Sequence, residues 1–212
     1  MKKYTLLFWG SVWGICEASF GFVLHRAAIA LPGLPGALMF PIGFFCMVAA
    51  QRATGLRAAP FLAAVVAASI KTVNFILPGM DPIRVVNPAL SILLEGLAVT
   101  ALSIPQPAQS SPKFVLKFIR VLCVGIVWRA MFAAYLSIIS LFALPAALVT
   151  SGVRTLLRFV LMESFINSVI ISLLLLLLLR AVPARPFKNI RVISPVAAVT
   201  VTVIAVSLEL LL

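Results

Sequence analysis

Leu156 to Val182 reads LLRFVLMESFINSVIISLLLLLLLRAV, an apolar run that carries Glu163 and Asn167 near its start. A helix crossing the hydrocarbon core of a bilayer needs about 20 mainly apolar residues, and this run supplies them. The carboxylate inside it is the informative part. A charge near the bilayer centre costs at least about 2.5 to 3.5 kcal/mol, so an acid retained there faces the protein interior and finds a partner.

The same pattern recurs along the chain. Apolar runs span Tyr4 to His25, Ala37 to Gln51, Ala58 to Leu77, Pro88 to Ile104, Phe114 to Ala143 and Val192 to Leu212. The second and fourth are short, which implies tilt, local thinning of the bilayer, or helices that reach into their flanking loops. The expected fold is all-α: a polytopic transmembrane helical bundle with six core spans in three outward-opening hairpins plus a seventh, C-terminal span. Residues 1–182 would form the core, 183–191 a basic cytoplasmic loop, and 192–212 a transmembrane or membrane-associated helix. Six spans with a reentrant or surface-lying tail is the alternative. The composition, 63% hydrophobic and 10% charged over 212 residues, fits that class. Soluble domains run at roughly 45 to 50% apolar and 25% charged. The opening MKKYTLLFWGSVWGIC has the basic start and apolar run of a signal peptide but no small-x-small cleavage site, so it reads as an uncleaved first span.

The net charge of +12 would point to nucleic acid in a soluble protein. Here the bases sit mostly between apolar runs, where they act as topology determinants and lipid phosphate contacts, and no nucleic-acid partner is expected. With the N-terminus in the cytoplasm, eleven bases fall inside: Lys2, Lys3, Arg52, Arg57, Lys113, Lys117, Arg120, Arg180, Arg185, Lys188 and Arg191. Only four, Arg26, Arg84, Arg154 and Arg158, fall outside. The expected location is therefore the cell membrane, multi-pass, with a cytoplasmic N-terminus. The basic segment Pro183 to Arg191 reads as an anionic-lipid anchor or a partner contact.

Three turns look alike: Leu31-Pro32-Gly33, Leu77-Pro78-Gly79 and Leu144-Pro145-Ala146 each follow an odd-numbered span. Proline stops the helix and glycine permits the reversal, which alone explains the likeness. Spacing adds to it, because Glu95 lies 18 residues beyond Leu77 and Glu163 lies 19 beyond Leu144.

Four of the five acids, Glu17, Glu95, Glu163 and Glu209, lie inside apolar runs, and Lys71 and Arg129 are the bases buried deep enough to meet them. Lys71 with Asn74 and Glu163 with Asn167 have spacings that put each pair on one helix face. Glu17, Lys71, Asn74, Glu95, Arg129, Glu163 and Asn167 are the candidate substrate-binding residues. Internal ion pairs that fix helix register would explain the charges equally directly. A second set is His25 with the outer-loop residues Asp81, Arg84 and Asn87. There Asp81 and Arg84 can pair, and Asn87 can cap a helix opened by Pro88. Glu209, near the chain end, reads as interfacial. No metal site is expected: Cys16, Glu17 and His25 have ligand chemistry without a recognised spacing, and Cys16, Cys46 and Cys123 read as reduced apolar side chains. Phe8, Trp9, Trp13, Phe20, Phe22, Phe40, Phe44 and Phe45 concentrate aromatic surface in the first hairpin, for packing or for stacking a planar ligand.

About 200 residues, six core helices, a cytoplasmic N-terminus, short basic inner loops and an outward polar cluster together resemble the substrate-binding S components of energy-coupling factor transporters, over roughly residues 1–182. The resemblance is architectural. It implies capture of a vitamin-like micronutrient near the outer face and association with a transmembrane coupling subunit and two ATPases. It also implies a small-residue contact strip on the first helices, for which Gly10, Gly14, Ala18 and Gly21 are the counterparts here. The extra C-terminal span departs from the six-helix pattern. No Walker A motif is present, so the chain holds no ATP site, its cofactors are unknown, and any ATP coupling comes from a partner. The first expectation is thus a solute-binding membrane subunit for a small polar or zwitterionic molecule. The alternatives are a non-catalytic structural subunit of a larger membrane complex and an intramembrane lipid-modifying enzyme. The enzyme reading has no GxSxG or HExxH behind it.

Overall fold

Lipid tails are as apolar as leucine, so helices in a membrane associate where small residues let backbones approach and where polar groups bond across the contact. The computed structural model describes residues 1–27, 34–102, 114–142, 146–181 and 193–212, excepting the side chains of 22, 25–27, 34, 35, 37 and 178–181. The regular elements described are all helical. They are α1 (Lys2–Ala27), α2 (Leu34–Thr54), α3 (Ala59–Thr72) with a 3-10 turn (Val73–Ile76), α4 (Pro82–Leu102), α5 (Phe114–Phe142), α6 (Ala147–Thr150), α7 (Val153–Leu157), a π-helical segment (Arg158–Met162), α8 (Glu163–Ala181) and α9 (Pro195–Leu211). Four segments are long and apolar enough to cross a membrane: Ala59–Ile76, Pro82–Leu102, Phe114–Phe142 and Val153–Leu177. These make the chain a membrane-embedded helical protein.

The chain divides into two units, Met1–Ser103 with Ala184–Leu212, and Ile104–Pro183. In the first, α1 packs on α2, α3 and α9. Gly10 and Gly14 make the α1–α3 contact possible: a Cβ at Gly10 would lie 2.5 Å from Val66 Cβ, and one at Gly14 2.8 Å from Ile70 Cδ1. The facing helix is correspondingly small, with Ala59, Ala63, Ala64, Ala67 and Ala68 all buried. Ala18 is buried as well, so three of the four residues of the small-residue strip, Gly10, Gly14 and Ala18, are already covered from within. Residue order along these contacts makes α1 and α3 parallel. The α9 helix runs the same way, since Ser11 Oγ hydrogen-bonds Thr202 Oγ1 at 2.8 Å and Glu17, further along α1, lies in electrostatic reach of Glu209.

The intervening helices run opposite. On α2, Gly43 abuts the Trp13 ring while Ala50 joins the apolar cluster that Leu6 and Trp9 cover. On α4, Gly96 rests on Ala64, and Thr100 Oγ1 accepts the Phe61 N–H at 3.0 Å, one of the free donors of the first turn of α3. The turn Leu77-Pro78-Gly79 has Gly79 at φ +77°, a left-handed conformation that glycine adopts without a Cβ penalty. Leu31-Pro32-Gly33, Leu144-Pro145, the linker 105–113 and the basic segment 183–191 lie outside the described residues.

One helix start differs from the sequence expectation. The α4 helix opens at Pro82, with Asp81 Oδ1 accepting the Ile83 N–H at 3.0 Å, and Pro88 lies inside it. Asp81 thus caps the helix, and Asn87 belongs to its second turn. Both Asp81-Pro82 and Asn87-Pro88 offer a capping side chain before a proline. An interior proline interrupts the helix at the Arg84 carbonyl, four residues back, and the helix carries that defect.

In the second unit α5 and α8 are antiparallel. Phe118 meets Phe165, Gly125 faces Ser164, and Trp128 stands edge-on to Phe159 with centroids 6.1 Å apart. The π turn just before α8 matters for register. Its wider spacing puts Phe159 and Ser164, five residues apart, on the same side, towards α5.

Candidate functional site

Three parallel helices of the first unit bring one polar cluster together. Lys71 closes α3, Asn74 sits in the 3-10 turn that follows, and Glu209 occupies the last turn of α9. Lys71 Nζ and Asn74 Nδ2 both donate to Glu209 Oε1 at 2.5 Å. A carboxylate only accepts, so this contact also fixes which end of the Asn74 amide is nitrogen. Glu17, nearly three turns from the end of α1, accepts from Trp13 Nε1 at 3.1 Å and lies within electrostatic reach of both Lys71 and Glu209. Trp13 is fully buried, its ring held against α2 at Gly43, so the indole N–H is aimed by packing.

The cluster is not closed. Glu209 and Asn74 are 4% and 9% exposed, yet Glu209 Oε2 and Asn74 Oδ1 are buried acceptors that no donor reaches among the described residues. Leaving one buried polar group unmatched costs about 1 to 3 kcal/mol. With two acids against one base, the group also carries one formal negative charge in excess. What such acceptors can take, chemically, is N–H donors and positive charge.

Glu209 carries a role that the sequence reading does not assign to it. Read from the sequence only as an interfacial residue, it is the acceptor on which Lys71 and Asn74 converge. The signal was available as a face: Ala198, Thr202, Ala205 and Glu209 follow helical spacing, and this stripe of α9 turns towards α1 and α3.

Arg129, Glu163 and Asn167 lie in the second unit. Arg129 is fully buried, its guanidinium 4.4 Å from the Trp128 ring centroid and 5.5 Å from that of Phe159. Its Nη1 donates to Ser164 Oγ at 3.3 Å, and Nε stands 3.8 Å from Glu163 Oε2, an ion pair beyond hydrogen-bond length. Asn167, one turn further along α8, is also fully buried. This group balances one base against one acid and encloses the cation in aromatic rings. It reads as a register lock.

The remaining candidates stand apart. Glu95 is buried in α4 and accepts from Ser91 Oγ at 3.4 Å. Asp81 and Arg84 are exposed and Asn87 is half-buried. The side chain of His25 lies outside the described residues. Among the described residues no three His, Cys, Asp or Glu side chains converge as metal ligands would. Cys16, Cys46 and Cys123 are free thiols. No protein-family model matches the chain, nor does any curated protein or any solved structure.

Proposed function

We propose that this protein is a membrane solute-binding subunit that captures a small cationic or zwitterionic micronutrient at the Glu17–Lys71–Asn74–Glu209 cluster, and that it works with a separate energy-coupling partner. The observation that carries this reading is the pair of buried, unmatched acceptors, Glu209 Oε2 and Asn74 Oδ1, beside an excess carboxylate. An ammonium group satisfies both oxygens and offsets the charge.

Seven membrane crossings with a cytoplasmic N-terminus accompany this reading. Its support is the shared direction of α1, α3 and α9 against α2 and α4, because a chain that descends in α4 and ascends in α9 must cross an even number of times between them. The cluster then lies in the outer half of the bilayer, towards the C-terminal ends of the ascending helices. Since α3 already covers Gly10 and Gly14, a coupling subunit would dock elsewhere than on the strip the S-component resemblance implies.

The test is purification in mild detergent followed by mass spectrometry of extracted small molecules, for the native protein, Glu17→Gln and Asn74→Leu. The expected result is a stoichiometric amine-bearing solute that both variants lose while eluting as folded protein. An empty native protein, in membranes and in detergent alike, overturns the proposal. The second reading then takes over. The direct Lys71–Glu209 bond, tying α3 to α9, favours a structural subunit in which the charges hold helices together.

A further inference from the structure

The second unit carries a feature that the solute site does not use. Between α5 and the α7–α8 segment runs an open groove of about 580 Å³, walled by Leu122, Ile126, Leu161 and Phe165 among other apolar side chains and ended by Arg154 and Arg158. The two arginines are four residues apart, so one helix face presents both. Both are exposed, and no hydrogen bond or ion pair engages either guanidinium among the described residues. The nearest acid, Glu163, feels the charge of Arg158 but is paired with Arg129.

Exposed leucine on a membrane helix needs no explanation, because lipid covers it. Two unpaired arginines at the head of an apolar groove do, above all because the topology proposed above puts them on the side where bases are scarce. We propose that this groove is a binding site for one anionic phospholipid, with an acyl chain lying along Leu122, Ile126, Leu161 and Phe165 and the phosphate held by Arg154 and Arg158. The fit is of charge and of shape. Planar guanidinium groups grip phosphate oxygens in pairs, and the groove continues from them into the hydrocarbon as a lipid does. A free anion would use the arginines alone and leave the groove irrelevant.

Native mass spectrometry of the full chain tests this, with phosphatidylglycerol and phosphatidylcholine of identical acyl chains. Near a membrane surface each arginine contributes a factor of roughly 5 towards an anionic headgroup, so the pair should retain phosphatidylglycerol on the order of 30-fold better. Arg154→Gln/Arg158→Gln should abolish that preference. Arg57→Gln, at an exposed base of the other unit, should keep it. Ile126→Trp, which fills the groove and spares both arginines, should weaken retention of both lipids. Elution as folded protein is required of each variant, and Arg158→Gln alone, expected to lose about 5-fold, is the reserve if the double variant misfolds. Equal retention of the two lipids, or an unchanged preference in the arginine variants, overturns the proposal. Displacement of phosphatidylglycerol by millimolar inorganic phosphate, with no effect of Ile126→Trp, overturns it in favour of a free anion.

Discussion

Replacing Glu209 by glutamine keeps the shape of the side chain and an acceptor oxygen for Asn74, but removes the charge that Lys71 meets at 2.5 Å. The ammonium it leaves is 19% exposed against 3% for the carboxylate, so solvent screens little of the loss. Breaking one side of a buried ion pair costs about 3 to 5 kcal/mol, and we take about 3 here because Lys71 keeps some exposure. At 2 to 4 °C per kcal/mol for a chain of this size, thermal unfolding in detergent should shift down by about 6 to 12 °C. Lys71→Met should fall similarly, since it strands the carboxylate. The double variant Lys71→Met/Glu209→Gln removes both charges and should return to within about 1 kcal/mol of the native protein, where the singles sum to about 6, a coupling of about 5 kcal/mol. Tryptophan fluorescence reads the transition. Two single variants that each unfold within 1 °C of native, or a double variant whose loss is the sum of the singles, would refute the account of α9 as electrostatically tied to α3.

Other consequences can be checked separately. Gly10→Leu should cost about 1 to 3 kcal/mol of thermal stability by forcing α1 off Val66 and Ala63, whereas Gly21→Ala, whose Cβ would meet nothing nearer than Glu17 Oε2 at 3.8 Å, should melt as native. Arg129→Lys should lose about 2 kcal/mol despite keeping its charge, because an ammonium cannot lie as a plane between Trp128 and Phe159; a native melting curve would contradict this. In a cysteine-free background, a membrane-impermeant thiol reagent added to intact cells should label Pro78→Cys and Leu212→Cys but not Arg57→Cys. An unlabelled Leu212→Cys would return the count to six crossings.

Much of this architecture is legible in the sequence because membrane helices are written in long apolar runs. The run read as Phe114 to Ala143 becomes α5, Phe114–Phe142, and the one read as Ala58 to Leu77 becomes α3 with its 3-10 turn. The error at Pro88 came from two adjacent Asx-Pro pairs, either of which satisfies a local capping rule; the choice between them depends on whether the helix can bear one lost bond. The site was legible in half. Helical spacing joined Lys71 to Asn74 and Glu163 to Asn167, and the ion pairs of Lys71 and Arg129 followed from the cost of burying them alone. What local spacing could not give is the partner. Lys71 and Glu209 are 138 positions apart, and only the parallel packing of α9 on α1 and α3 brings them together.

That separation has a consequence for biogenesis. The α3 helix enters the membrane with Lys71 already in place, while the carboxylate that neutralises it is synthesised 138 residues later. For the time needed to make 138 further residues, Lys71 must find water, a lipid phosphate or Glu17 as a temporary companion. Integration of this protein is therefore a delayed reaction, in which the arrival of α9 supplies the partner of a cation placed much earlier. A chain interrupted before Glu209 leaves a stranded cation in the bilayer, the kind of defect that membrane quality control can recognise.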